Sequence, residues 1–300
     1  IKHPIKPKKE ITWHYKSHPY FTKQASNVVS EYIKHYSNEG DTILDPYGGT
    51  GVTAIEALTL RRKVIILDIN PLACFITLQN CLTVDLNELY KQFRILEENC
   101  KSTIDNYYKL PDNKVDKIKV EYWYPKNVKM PLDADFKFVE ELFTKRQLLS
   151  FSLILHNIKR IKNKSIKDAF LFVFSASLAK ANRTYMPSEK DGKQVGGGGS
   201  SIFGTYRYWK PKKLREIHVW DNFVQRFKFY SAGKEIWNNV VKDFSVKSNL
   251  IVINDSVLNL DKHIKPDTID YIYTDPPYGG NIAYLDLSTM WNAWLGFNIS

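Results

Sequence analysis

Apolar positions change their spacing several times along the chain, and the changes delimit its elements. From about Gln24 to Tyr36, Val28, Val29, Tyr32 and Ile33 share one side of a 3.6-residue repeat, which predicts an amphipathic helix closed by Gly40 as C′ residue. Thr42 to Asp45 is a short apolar strand, Val52 to Leu60 returns to helical spacing, and Lys63 to Asp68 is a second apolar strand. Strand, helix and strand make one βαβ unit, so a parallel sheet with a right-handed crossover is expected. Leu72 to Asn106 reads as helical, with a polar face around Glu88 to Lys101. Residues 107 to 245 abandon the alternation: Glu121 to Pro125 reads as an ordered loop, and Asp135 to Ile161 and Ile166 to Ala181 as helices, the second apolar enough for a core. Strand character returns at Leu250 to Ile253 and at Thr268 to Thr274, the latter expected to be a buried strand of a sheet covered on both faces. Leu285, Leu287, Trp291, Trp294 and Leu295 predict a closing helix that packs under the end of that strand.

Charge changes the picture more than composition does. Three hundred residues with 43% hydrophobic content are ample for a core, and the net charge is +11. Residues 101 to 245 hold 28 Lys/Arg against 15 Asp/Glu, while the remainder sums to −2, so a polyanion-binding surface is expected in the middle segment. The longest apolar stretch, around Ala169 to Ala179, is too short to span a bilayer, and no signal-peptide pattern opens the chain, which points to the cytosol and to no membrane partner. Cys74, Cys81 and Cys100 lack CxxC or His-rich spacing and read as buried free thiols, with no metal site. Residues 1 to 12 are basic and proline-containing and read as an arm or an expression boundary. Because the chain starts at Ile1 and ends soon after residue 280, it is expected to be a fragment of a longer polypeptide.

Chemistry concentrates in two loops. Pro46-Tyr47-Gly48-Gly49-Thr50-Gly51 follows the first strand and opens a helix, so glycines let backbone approach a ligand while the helix end offers free N–H groups. Asp68, ending the second strand, is placed to accept hydrogen bonds from ribose hydroxyls. Gly49 to Ala54 matches the G-x-G-x-x-G/A dinucleotide fingerprint, whereas a Walker loop is excluded because no Gly-Lys-Ser/Thr follows. The other loop is Asp275-Pro276-Pro277-Tyr278. Its two prolines lack amide donors and fix φ, so the chain leaves the ladder and presents Asp275 and Tyr278 from a stiff turn at the strand's carboxyl end, where open α/β sheets bind ligands. A carboxylate, outward carbonyls and an aromatic ring suit a planar, amino-bearing group such as a nucleobase.

The second loop resembles the DPPY motif of the amino-methylating DNA methyltransferases, which act on adenine N6 or cytosine N4. Asp45-Pro46-Tyr47-Gly48-Gly49-Thr50-Gly51 with Asp68-Ile69-Asn70-Pro71 is similar to that family's S-adenosylmethionine loop and ribose-binding strand end, His18-Pro19-Tyr20-Phe21 to the stretch that lies over the cofactor, and Asp255-Ser256 to its adenine contact. The likeness covers about residues 13 to 82 and 247 to 297. It implies a Rossmann-like α/β fold, a parallel sheet with helices on both faces, interrupted by a large, mainly helical basic insert. The family's sheet has seven strands and only four can be placed here, so a further segment or subunit is expected to complete it. The resemblance implies cofactor contacts from Phe21, Asp45, Tyr47, Gly48, Gly49, Gly51, Asp68, Ile69, Asn70, Asp255 and Ser256, and catalysis by Asp275, Pro276, Pro277 and Tyr278. Aspartate first in the motif leans toward adenine N6, and the absence of a Pro-Cys nucleophile near the site argues against cytosine C5 methylation.

Four regions follow: the arm 1–12, a cofactor-binding part 13–106, the basic insert 107–245 and a catalytic part 246–300. His156 to Lys164 is a basic cluster that reads as a solvated helix end. Asn182 to Arg215 carries eight Lys/Arg against two acids, interleaved with aromatics, and is the expected contact for double-stranded DNA through Arg183, Tyr185, Arg207, Tyr208, Lys210, Lys212 and Lys213. Its central Gly196 to Ser201 run reads as a mobile loop, native or of engineered-linker type. The expected activity is adenine-N6 methylation of an extruded base in a restriction-modification or phage-defence setting. The alternatives are cytosine N4 methylation, an RNA or protein amino methyltransferase, and a non-catalytic nucleic-acid-binding subunit.

Overall fold

The computed structural model describes residues 1, 4–8, 13–190, 193–277, 279–280 and 282–298, so much of the expected arm lies outside it. β1 (Thr42–Asp45) and β2 (Lys63–Asp68) pair in parallel from Thr42 opposite Lys63 to Asp45 opposite Ile66, joined through the helix Val52–Thr59. β3 (Tyr185–Lys190) and β4 (Lys193–Ser200) form a separate antiparallel pair. β5 (Leu250–Asn254) adds in parallel to β2, and β6 (Tyr271–Ile272) to β1, giving a four-stranded parallel sheet in the order β5-β2-β1-β6. Flanking helices complete a Rossmann-like α/β fold. Because β1 and β6 are neighbours running the same way, the chain leaves both on one rim.

One core lies against the sheet. Ile43, Val64, Ile66 and Leu250 point toward the helices Ser26–Tyr36 and Val52–Thr59, where Val29, Ile33, Ile55 and Leu58 are buried. The other pleat is more open: Ile251 and Ile272 are each 54% exposed. The strand expected over Thr268 to Thr274, buried on both sides, is thus a two-residue edge strand. Single bonds extend it at either end, from Asp270 N to Thr42 O and Tyr273 N to Leu44 O, before the prolines end donation.

The larger core is helical and gathers Phe151, Phe170, Phe174, Trp220, Trp291 and Trp294. The helix expected over Leu72 to Asn106 is two, Pro71–Cys81 and Leu86–Lys109. Asp85 caps the second by accepting from Glu88 N, while Lys234 Nζ and Trp237 Nε1, from the helix Val219–Val240, take carbonyls at the end of the first. The helix expected from Asp135 begins at Lys145, because Thr144 and Gln147 form a capping box there. The helix Lys164–Leu178 starts two residues before and ends three residues before the expected Ile166 to Ala181. Helices on both sides of residue 106 share this core.

The glycine run is strand rather than loop: Gly198 and Gly199 pair with Pro187 and Met186 in β3. Cys74, Cys81 and Cys100 are buried free thiols, each pushed up to about 12 by burial. Among the described residues no helix is long and apolar enough to cross a membrane.

Candidate active site

The glycine loop is held by its neighbours. Gly48 N–H donates to Leu67 O, and a Cβ on Gly48 would sit 2.2 Å from Ile66 Cγ2. Gly51, at φ +79°, would bring a Cβ within 2.6 Å of Thr77 Cγ2, so the loop presses on β2 and on the helix Pro71–Cys81 together. Asp45, nearly inaccessible to solvent, accepts from Tyr47 N at 3.1 Å and the Thr53 hydroxyl at 2.6 Å. Burial pushes its carboxyl up to about 6, and the nearby Asp68 and Asp275 add to the rise. Asp68 accepts from Gly49 N and Asn70 N, each at 2.8 Å, and burial raises it as well. Each of its oxygens keeps a second lone pair for a ligand.

Asn70 is committed elsewhere. Its amide oxygen caps the helix Pro71–Cys81 at Leu72 N, and its nitrogen donates to Tyr20 OH at 3.0 Å and Ser288 Oγ at 2.7 Å. It therefore ties the end of β2 to the Tyr20 segment and to the helix Thr289–Leu295. Of the His18 stretch, Tyr20 and Phe21 reach the site. His18 is a core residue, bonded to Pro19 O and Ser175 Oγ and held down to about 3 by burial.

These segments enclose a cavity of about 420 Å³. Its walls are Tyr20 to Gln24, Asp45 to Thr50, Asp68 to Asn70, Asp275 to Pro277, Ser256 and Val257, with Ile282 and Tyr284 at one side. The two chemistry-bearing loops, about 230 positions apart in the sequence, thus face one space. Gln24 Nε2 donates to Asp275 Oδ2 at 2.9 Å, so Asp275 is held against the segment after Phe21. Sequence reading missed Gln24, and no linear signal could pair residues 251 positions apart. It also missed Thr22 and Tyr284, whose hydroxyls bond at 2.6 Å. Tyr278 lies outside the described residues.

Several expectations change. Asp255 is not on the cavity wall: its carboxylate takes His263 Nε2 at 2.6 Å, Asn259 Nδ2 and Ser256 N, and these bonds hold it down to about 2. Its neighbour Ser256 does line the cavity. Tyr185 and Tyr208, read as stacking faces for DNA, are core residues at 2% and 1% exposure. Tyr208 donates to Leu287 O at 2.6 Å and accepts from Met290 N, bonds that a buried phenol needs. The Arg183 guanidinium is half-buried, donating to Glu141 O beside the Phe136 ring. Arg207 pairs with Asp135 at 2.7 Å and also bonds Asp133 O, which makes it a brace for its loop. Lys210, Lys212 and Lys213 are exposed.

A parallel sheet whose first strand runs into a glycine loop, beside a strand followed by Asp-Pro-Pro, is an α/β arrangement that brings both loops to one cavity. Comparison with known proteins finds methyltransferases. Residues 2–79 match the DNA methylase family of N6/N4 type. The chain is 22% identical over 304 residues to the Type II methyltransferase M.MvaI of Kocuria varians, covering 97% of this chain and 59% of that protein. It is 22% identical over 320 residues to the Type II methyltransferase M.MjaII of Methanocaldococcus jannaschii, covering 89% of this chain and 59% of that protein. The chain thus spans 59% of the length of these curated relatives. By the family model and by these relatives, the chain is similar to DNA methyltransferases.

Proposed function

We propose that this chain carries the cofactor and base sites of a DNA methyltransferase that transfers the methyl group of S-adenosylmethionine to the exocyclic nitrogen of an extruded base, adenine N6 foremost. The observation that carries this reading is the single cavity lined by both the glycine loop and Asp275-Pro276-Pro277. Its setting is a restriction-modification system acting on chromosomal or phage DNA at the nucleoid. Double-stranded DNA meets the exposed Lys210, Lys212 and Lys213, and a further segment or subunit pairs with the open edge of β6.

The site fits the cofactor. A volume of about 420 Å³ is within the range of small-molecule sites. Asp45, Asp68 and Asp275 all line it, matching a sulfonium cation and ribose hydroxyls, and a Cβ on Gly49 would meet nothing within 4 Å. Bound there, S-adenosylmethionine supplies an activated methyl group. Asp68 would hold the ribose, Gly49 would let backbone approach, and Phe21, Tyr47 and Ile69 would supply apolar contact, while Gly48 and Gly51, whose missing side chains make room for Ile66 and Thr77, shape the loop.

An adenine amino nitrogen is a poor nucleophile because its lone pair is delocalised into the ring. Asp275 and the Pro276 carbonyl would accept hydrogen bonds from its two amino protons and draw the nitrogen toward tetrahedral geometry, leaving the lone pair free to take up a methyl group as the carbon–sulfur electron pair returns to sulfur. Positioning and electrostatics supply the catalysis. Gln24 fixes the Asp275 carboxylate for this task, and Asp275 accepts the proton the methylated nitrogen releases. In a duplex the amine is paired, so the base must leave the stack, and Tyr278 would stack on it.

The test is transfer of labelled methyl from S-adenosylmethionine to DNA, RNA and protein, followed by nucleoside analysis. Label in DNA as N6-methyladenine is expected. N4-methylcytosine would move the assignment to cytosine, and label only in RNA or protein would overturn it. Asp275→Ala should cut transfer by about 100-fold or more while cofactor binding by calorimetry persists.

A further inference from the structure

Five aromatics interleave with cations between Asn182 and Arg215, and the fold divides them. Tyr185 and Tyr208 are core, and the Phe203 ring packs 5.1 Å from that of Phe21. Tyr206 and Trp209 remain 42% and 38% exposed. Between them, buried Tyr208 is anchored to Leu287 O and Met290 N, just past the cavity wall at Tyr284. Asp135 holds Lys210 N at 2.9 Å and the Arg207 guanidinium, and Ser201 Oγ donates to Arg207 O and Trp209 O. This segment is therefore a braced ledge. Tyr206 sits at φ +50°, in the left-handed conformation that closes the short helix Ser201–Thr205. Its ring meets Phe21, a cavity-wall residue, edge-on at 6.4 Å.

We propose that Tyr206 is a base-stacking residue at the mouth of the cavity, supported by Trp209, with Lys210 and Lys212 on the adjoining phosphates. This deepens the DNA reading above and rests on it. An exposed ring costs free energy in water and gains it against an unpaired base of any identity, since every base has a π face. Extrusion of a target base creates such a surface beside the cavity, and a ring on a rigid ledge meets it without first being ordered. The buried Tyr208 anchor is what keeps that ring on its ledge beside Phe21.

The probe is a fluorescein-labelled 20-mer DNA duplex with one central bulged adenine, compared with its fully paired counterpart by anisotropy in the complete protein. The wild type should prefer the bulged duplex. Tyr206→Asn suits the left-handed backbone and removes the ring, and it should weaken bulged-duplex binding about tenfold or more while paired-duplex and S-adenosylmethionine binding hold. Tyr206→Phe should retain the preference. A wild type without preference, or a Tyr206→Asn protein that keeps it, overturns the proposal and leaves the methyltransferase reading standing. A wild type that binds neither duplex nor S-adenosylmethionine overturns both.

Discussion

Replacing Asp45 by asparagine should make the protein more stable at neutral pH, and the reason lies in its surroundings. Asp45 is 2% exposed, and its carboxyl titrates at about 6 instead of 3.8, with burial as the main cause. Keeping that group ionised at pH 7 costs the folded state roughly 3 kcal/mol relative to an ordinary carboxylate. Asparagine retains both hydrogen bonds: its oxygen accepts from Tyr47 N, and its amide donates to the Thr53 hydroxyl, which turns to accept. The unfolded carboxylate stays ionised down to about pH 4, while the folded one takes up its proton as pH falls through about 6. In that interval the folded state binds more protons, so wild-type stability rises as pH falls and levels off near pH 4. Asp45→Asn lacks this gain. Its melting temperature should exceed the wild type's by about 5 °C or more at pH 7.5 and converge with it near pH 4. Calorimetry at both pH values decides the matter; a gap that does not narrow on acidification would refute the assignment of burial as the cause.

Other substitutions test the scaffold around the site. Gly51→Ala should cost about 2 kcal/mol or more in urea titration, because the left-handed backbone and the 2.6 Å approach to Thr77 act together. Asn70→Ala removes a helix cap and the bonds to Tyr20 and Ser288, and a loss of about 2 to 4 kcal/mol is expected in the same assay. Tyr208→Phe leaves Leu287 O without its buried donor and should cost about 1 to 3 kcal/mol, whereas Lys212→Ala, on the exposed part of the loop, should leave stability within about 0.5 kcal/mol and lower the salt dependence of DNA binding.

The unit from Thr42 to Asp68 was legible in the sequence because everything that makes it is local. Alternating or continuous apolar residues set the strands, glycines allow the close approaches at Ile66 and Thr77, and an Asp-Pro step ends the first strand. The caps at Asp85 and Thr144 were equally local, and attention to them would have split the first long helix and shortened the second. Tyr208 was a different matter. An aromatic between cations looks alike in the sequence whether it faces solvent or fills a core, and only the partner at Leu287, 79 positions away, distinguishes them.

Residue order alone therefore established the βαβ unit, the glycine loop and the rigid Asp-Pro-Pro turn, since each arises from steric limits on neighbouring residues. The folded chain settled what depends on distant partners: that β6 lies beside β1, that Gln24 grips Asp275, that Asp255 turns to His263, and that Asp45 loses its water. Those facts follow from pairings and desolvation that arise only once remote segments pack.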